Sequence, residues 1–455
     1  MASHDDEISS ALRNNPEAVS NLMKSASHRG RVSAMALLLT GEKGLSDLVE
    51  GTGLSKNAMV NHLSILMGSG LVRREERGTY ALTADGSDLI TSAATLYLNS
   101  ELRAEEERRR AQRLYTGGRE GRGLEERMVS NVAVYQPCWI SYTGAVAGAL
   151  RSLGSSCDVV DVGGHSGYAF IVNVIRGEFC PSGPTAFHPE TWGEIHDGTQ
   201  SLGWKIESWS DEGSYPEGEE PRPQELERAK RLHDLVKAEI MKNRPAVVWG
   251  LYIPEYGIVN GVKGSSYIVS TFRRLMGQPE EPIPYFDLRA PGCLDALFFR
   301  EPIQVDVAEA DRKAVERATN FARGSTPALE RYANGPEAWD EWIDVLENRQ
   351  EKGLYHGNSY TAACYHEARA MAAEFLSRMA KRQGRPQSEH LQKAMKNYRE
   401  VESLLKRFVE LFPFAMEGDM NMDKRRKGAA MLREVKPLDE AAADHLERAL
   451  EVWKG

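Results

Sequence analysis

The run LSDLVEGTGLSKNAMVNHLSILMGSGLVRREERGTYALTADGSDLI, Leu45 to Ile90, decides how this chain is read. Its apolar residues repeat at helical spacing in two short stretches, Gly44 to Glu50 and Ser55 to Gly68, with Gly51-Thr52-Gly53 as the turn between them. Leu45, Leu48, Val49 and Leu54 are placed to pack on Met59, Leu63 and Leu66. Ser55 precedes the second stretch as an N-cap and leaves Lys56, Asn57, Asn61 and His62 on the outward side. A lysine near a helix start can hold a phosphate, and side-chain amides can read adenine edges. After Gly70 the pattern changes. The run LVRREERGTYALT predicts a hairpin turning near Arg77-Gly78, with Arg73, Arg74 and Arg77 available to phosphates or the minor groove. Helix, turn, helix and basic hairpin, in that order, predict a winged helix-turn-helix that contacts double-stranded DNA.

Working outward, Val19, Leu22 and Met23 suggest a helix from Pro16 to about Ser27, and Val32, Met35, Ala36, Leu38 and Leu39 a second from Arg31 to Thr40. On the other side, Thr83 can cap a helix that runs past Ile90, Leu96 and Leu98 into ELRAEEERRRAQRLY. The segment TGGREGRG, Thr116 to Gly123, is a flexible joint. From about residue 16 to 98 the chain resembles the ArsR-type winged-helix regulators, with helix, turn and wing at the family's spacing. The resemblance implies a DNA-binding homodimer, and a repressor rather than an activator. Metal-sensing members of that family use cysteine thiolates on or beside the recognition helix. Here no cysteine precedes Cys138, so thiolate metal sensing is not expected, His62 is not read as a ligand, and no metal or cofactor is implied.

At 455 residues the chain is too long for one ordinary core; domains of roughly 100 to 200 residues predict two to four. Its net charge of −9 means that any DNA contact must come from a local basic face, because the field of the whole molecule repels phosphate. The five cysteines, Cys138, Cys157, Cys180, Cys293 and Cys364, are widely spaced with no CxxC pair, which argues against a disulfide framework or a zinc ribbon. With no basic, apolar leader and no run of ~18 apolar residues, the expectation is a cytoplasmic protein that does not contact a membrane.

The second informative stretch is YQPCWISYTGAVAGALRSLGSSCDVVDVGGHSGYAF, Tyr135 to Phe170. Pro137 and Cys138 stand before a helix, Trp139 to Leu153, whose small residues permit close packing on a sheet. Strand-like runs are read at Asp158 to Val162, Tyr168 to Val174 and Lys205 to Ser208, with GGHSGYAF as a glycine turn entering a strand. A charged helix, Pro223 to Asn243, leads into two paired strands around Asn260 to Gly264, and FREPIQVD is read as an edge strand. A small-residue helix under an antiparallel sheet is an α+β domain. From about residue 130 to 300 this arrangement looks like the papain-like fold of the bacteriocin-leader cysteine peptidases, and more closely like the amino-terminal portion of the butirosin biosynthesis H acyltransferases. In such enzymes a thiol works with a histidine on the later sheet, and the resemblance would make Cys138 that thiol. The histidine's place holds Tyr256, however, and no histidine occurs between His233 and His356. A neutral phenol is a poor base for a thiol at neutral pH. The domain is therefore expected to be catalytically degenerate, not an enzyme, and to hold a small-molecule ligand of unknown identity among Cys138, Trp139, Tyr142, His165, Ser166, Tyr168, Trp249, Tyr252 and Tyr256.

From Glu309 onward the pattern is helical, and His366 and Glu367 read as surface or bundle contacts. The expected fold class is multi-domain α+β: a winged helix-turn-helix at 1–98, a charged helix and glycine-rich linker at 99–128, a papain-like α+β domain at 129–306 and a helical C-terminal region at 307–455. The expected function is a one-component transcription regulator. The alternative is a cysteine-dependent acyltransferase or amidase, with Cys138 as its nucleophile, carrying a DNA-binding domain.

Overall fold

In the computed structural model the described residues are 9–10, 12–75, 78–98, 126–212, 222–348 and 354–454. The chain forms two compact units, residues 1–117 and 118–455. The expected linker at 99–128 lies, up to residue 125, outside the described residues.

The N-terminal unit consists of α1 (Pro16–Ala26), α2 (Arg29–Leu38), α3 (Leu45–Thr52), α4 (Lys56–Gly68), β1 (Val72–Arg74), β2 (Tyr80–Leu82) and α5 (Ala84–Leu98). Helical spacing brings Ala34, Met35, Leu38, Leu48, Met59, Leu63 and Leu66 to one side, where they close a core with Leu71, Val72, Tyr80 and Ile90. The helix starts are set by local chemistry. Asp47 accepts a hydrogen bond from Gly44 N at 2.9 Å ahead of α3, Ser55 Oγ accepts from Ala58 N at 3.3 Å ahead of α4, and Thr83 Oγ1 accepts from Gly86 N at 3.0 Å ahead of α5. β1 and β2 pair antiparallel, with Arg73 opposite Ala81.

The second unit is α+β. It contains β3 (Glu126–Met128), α6 (Ser141–Ser152), α7 (Val159–His165), β4 (Asn173–Ile175), α8 (Pro189–Gln200), β5 (Trp204–Glu212), α9 (Pro223–Met241), β6 (Ala246–Trp249), β7 (Tyr256–Lys263), β8 (Ser266–Ser270), β9 (Ile283–Pro284) and β10 (Cys293–Pro302). There follow α10 (Val307–Arg323), β11 (Tyr332–Asn334), α11 (Pro336–Asn348), α12 (Leu354–Ala380), α13 (Arg385–Leu411) and α14 (Met422–Lys454). The main sheet runs β5-β10-β6-β7-β8-β9, with β3 added to β7, and all its pairings are antiparallel. β4 pairs instead with β11, so residues before and after position 307 share a second small sheet within one compact unit.

The small residues of α6 do what their spacing suggests. A Cβ on Gly148 would stand 2.3 Å from Val134 O and 2.7 Å from Ile258 Cδ1, so only glycine lets the helix meet both the segment before it and the sheet. Asn260, at a register shift between β7 and β8, fastens the same segment: its Oδ1 accepts from Ala133 N and its Nδ2 donates to Ala133 O, both at 2.8 Å.

Three sequence expectations are corrected here. Asp158 to Val162 is not a strand but the start of α7. Asp158 Oδ1 accepts from Val160 N and Asp161 N, and this cap outweighs the β-branched valines. Arg378 of α12 grips Asp158 through two hydrogen bonds and Asp161 through a third. GGHSGYAF correspondingly closes a helix and makes a single 3-10 turn, Tyr168–Phe170, before the three-residue β4. Gly164 lies so close to the Phe375 ring that a Cβ there would stand 2.1 Å from it. Of the expected edge strand FREPIQVD only Phe299–Pro302 is strand, the end of β10, where it pairs with β5 beyond the part of β10 that meets β6.

Candidate functional sites: an outward helix face and a closed thiol

On α4, the buried side is Met59, Leu63 and Leu66, and the exposed side carries Lys56, Asn57, Val60, Asn61 and Ser64. Ser55 is exposed beside them as the cap. His62 departs from this set. It is half-buried, its ring lies 4.5 Å from that of His28, and its Nδ1 is enclosed without a hydrogen-bond partner. Burial, then the neighbouring His28 and Arg31, push its pKa down. It supports the packing of α4 on the start of α2 and does not belong to the outward face. On β1, Arg73 is exposed but tied to Glu75 at 2.5 Å, and the Arg74 guanidinium stands 6.0 Å from the Tyr80 ring centre. Arg77 lies outside the described residues.

In the second unit the residues named from sequence divide into groups. Tyr142, Tyr168, Trp249 and Tyr256 meet in one aromatic cluster, with ring centres 5.7 Å apart for Tyr142 and Tyr168, 5.6 Å for Tyr142 and Tyr256, and 5.0 Å for Trp249 and Tyr256. All four are buried, and Tyr142, Tyr168 and Tyr256 also pack on Trp192. They form packed interior, where the sequence had suggested the wall of a cleft. Their polar tips are taken within the protein. Tyr142 OH lies 2.9 Å from Thr199 Oγ1, Tyr168 OH donates to Pro184 O at 2.5 Å, and Tyr256 OH donates to Asp295 Oδ2 at 2.9 Å. Burial pushes the Asp295 carboxyl up to about 7. Ser166 is fully buried and accepts from Tyr168 N at 3.2 Å. His165 stands edge-on to Phe375, and burial lowers its pKa to about 4. Tyr252 lies apart, with φ +72° and the Arg273 guanidinium 4.3 Å from its ring centre.

Cys138 and Trp139 belong to a different group. Cys138 sits three residues before the first residue of α6, and its thiol donates to Glu367 Oε2 at 3.0 Å. That same oxygen accepts from Trp139 N at 2.6 Å and Ile140 N at 3.1 Å. The carboxylate of a residue 229 positions away therefore covers the backbone N–H groups beside the thiol. Thr143 Oγ1 lies 2.8 Å from Sγ on the other side. Burial first, and then the Glu367 carboxylate, hold the Cys138 thiol well above its usual range. Tyr256, whose hydroxyl is held by Asp295, is not the thiol's partner. Around this point stand Tyr360, which donates to Glu255 Oε1, and the half-exposed Trp139, whose ring centre is 4.8 Å from that of Phe414. Glu255 is buried, and burial raises its pKa to about 7 against the opposing hydrogen bonds of Ser141 and Tyr360.

Glu367 and Glu255 are the residues that sequence reasoning missed. Glu367 lies in a helix rich in apolar and small residues, and no spacing rule connects position 367 with 138. Glu255 adjoins Tyr256, the position examined for a base, but a carboxylate there carries no local motif.

The N-terminal unit has the arrangement of a winged helix-turn-helix DNA-binding domain: a capped helix with an outward polar face, followed by a two-stranded wing. Residues 28–74 match the model of the family described as bacterial regulatory protein, arsR family, so the chain carries a DNA-binding transcription-regulator domain there. Among solved structures, the transcriptional repressor BigR from Xylella fastidiosa is similar at 25% identity over 20% of this chain and 96% of that one, with a TM-score of 0.19. No curated protein matches the sequence. Among the described residues no helix is long and apolar enough to cross a membrane.

Proposed function

We propose that the protein is a ligand-responsive one-component transcription regulator, a repressor by its ArsR-type resemblance, that binds operator DNA as a homodimer through the winged helix. The observation that carries this reading is the face of α4. Lys56, Asn57 and Asn61 are exposed on a helix fixed by its Ser55 cap, within the segment that matches the regulator family. The second unit is read as a catalytically degenerate relative of the papain-like cysteine enzymes that senses a small molecule. The contact between Glu367 and the Cys138 thiol supports degeneracy, because a proton-bearing thiol beside a carboxylate is a poor nucleophile. A ligand that binds the DNA-competent and incompetent dimers with different affinity would shift the population between them. The ligand's place is proposed at the exposed Trp139 and Phe414 beside Cys138, since the aromatic cluster around Tyr142 is packed.

A mobility-shift assay with the full-length protein and the DNA upstream of its own gene tests the first part. A shift is expected, and it should be lost when Asn61, Arg73 and Arg74 are all replaced by Ala; no shift for the wild type overturns the reading.

One observation favours the cysteine-dependent acyltransferase or amidase as a second reading. The N–H groups of Trp139 and Ile140 converge beside the thiol, as donors for an acyl oxygen would. That reading requires Cys138 to react with iodoacetamide much faster than the buried Cys157, and it fails if the two rates are alike.

A further inference from the structure

The first half of the outward face of α4 holds one aliphatic side chain among polar ones. Val60 is 47% exposed, one turn after Lys56 and next to Asn61, while the helix rests its weight on Met59, Leu63 and Leu66. A single exposed valine is unremarkable on most surfaces, so its position has to decide what it does. Ile65 and Met67 are also exposed but lie in the second half of the helix. Val60 lies in the first half, which reaches base edges when a recognition helix enters the major groove. At 100° per residue, Val60, Ser64, Asn57 and Asn61 follow one another around the outward side. The chemistry of Val60, Asn57 and Asn61 is complementary to one kind of base pair. A side-chain amide matches adenine N6 and N7, and an aliphatic group matches the C5-methyl of thymine. An A·T pair offers both in the same groove. Among the described wing residues, Arg73 is paired with Glu75 on the surface, so the base-reading case rests on α4.

We propose that Val60 is a specificity-determining residue that packs on a thymine methyl next to adenines read by Asn57 and Asn61, so that α4 selects A·T pairs at the centre of each half-site. This inference rests on the proposed DNA-binding function and names the sequence class which that face takes.

The test begins with selection of duplexes from a random DNA library by the full-length protein. The best duplex is then remade with each thymine in turn replaced by deoxyuridine, which removes the methyl group and nothing else. For the wild type, one position in each half-site should weaken binding about fourfold, the factor expected for one methyl-sized apolar group of ~0.8 kcal/mol. Val60→Ala should bind the thymine duplex about fourfold more weakly and be indifferent to deoxyuridine at that position. Val60 is on the surface, so the variant's melting temperature should equal that of the wild type. Selected sites lacking A·T pairs at the half-site centre, or a deoxyuridine effect unchanged in Val60→Ala, would overturn the thymine contact and leave DNA binding standing. Retention of no duplex at all would instead overturn the DNA-binding reading, and this inference with it.

Discussion

Two helix starts in this molecule use the same geometry in opposite ways. The first turn of α4 is capped locally, by Ser55 on Ala58 N, and its side chains face outward. The N–H groups just ahead of α6 are covered by Glu367, brought from α12. A helix start carries partial positive charge and unpaired N–H groups, and so attracts an anionic or polar partner. One of these is left open to a partner from outside, and the other is closed by the chain itself.

If α4 is the open end, stripping its polar face should have the largest effect. Replacing both Asn57 and Asn61 by Ala should weaken operator binding by on the order of a hundredfold in a mobility-shift titration, since each good amide-to-adenine contact contributes about 1–3 kcal/mol. A change of less than threefold would mean that the open end is not where bases are read. If α6 is the closed end, opening it should come next. Glu367→Gln removes the charge beside the thiol with little change of shape, and alkylation of Cys138 at pH 7.5 should accelerate about tenfold, the equivalent of one pKa unit. An unchanged rate, with Cys157 as internal reference, would break the comparison.

Stability, rather than rate, tests the buried carboxylate beside the closed end. Glu255 has its folded pKa raised to about 7, above an unfolded value near ~4.3. Between those values the folded state holds a proton that the unfolded state has lost, so this group's stabilising contribution is full below pH ~4 and disappears as pH rises through 7. Buried His165, His196 and His233, lowered to about 4, work in the opposite sense between pH 4 and 6.5. The difference between proteins isolates the carboxylate: from pH 5 to pH 8 the wild type should lose more stability than Glu255→Gln, by roughly 2–3 kcal/mol in thermal melts. Parallel pH profiles would show that Glu255 titrates normally. The smallest effect is at the open end's cap. Ser55→Ala should cost the N-terminal unit about 1 kcal/mol, seen as a fall of several degrees in its melting transition.

The same contrast explains what could be read from the sequence. In the N-terminal unit the contacts that set the helix starts are short in sequence: Ser55 with Ala58, Thr83 with Gly86 and, in the wing, Arg73 with Glu75. Periodicity and caps therefore located its helices and wing to within a few residues. His62 was placed on the wrong side because its partner, His28, belongs to another helix. In the second unit the sheet strands at Trp204, Tyr256 and Ser266, and the tight packing of α6, followed from alternation and small residues. The start of α7 did not, because valines favour strands while Asp158 and Arg378 together hold a helix there. The burial of Tyr142, Tyr168 and Tyr256 was equally hidden, since a tyrosine that lines a cleft and one that fills a core look alike in a sequence. The closure of the Cys138 loop depends on a contact across 229 positions, which no local rule reaches.

One helix gathers these distant contacts in a row. Along α12, Tyr360 meets Glu255, Tyr365 OH takes Asn173 N at 2.8 Å, Glu367 covers the Cys138 loop, Arg369 binds Asp439 Oδ1 at 2.7 Å, and Arg378 grips Asp158. From Tyr360 to Arg378 these points span about 27 Å of helix at ~1.5 Å per residue. They engage the loop before β7, the approach to β4, the entry to α6, the middle of α14 and the cap of α7, like the teeth of a key set in five wards of a lock. A slide of one residue's rise, about 1.5 Å, would disturb all five contacts together, so they fix the register of this rod jointly.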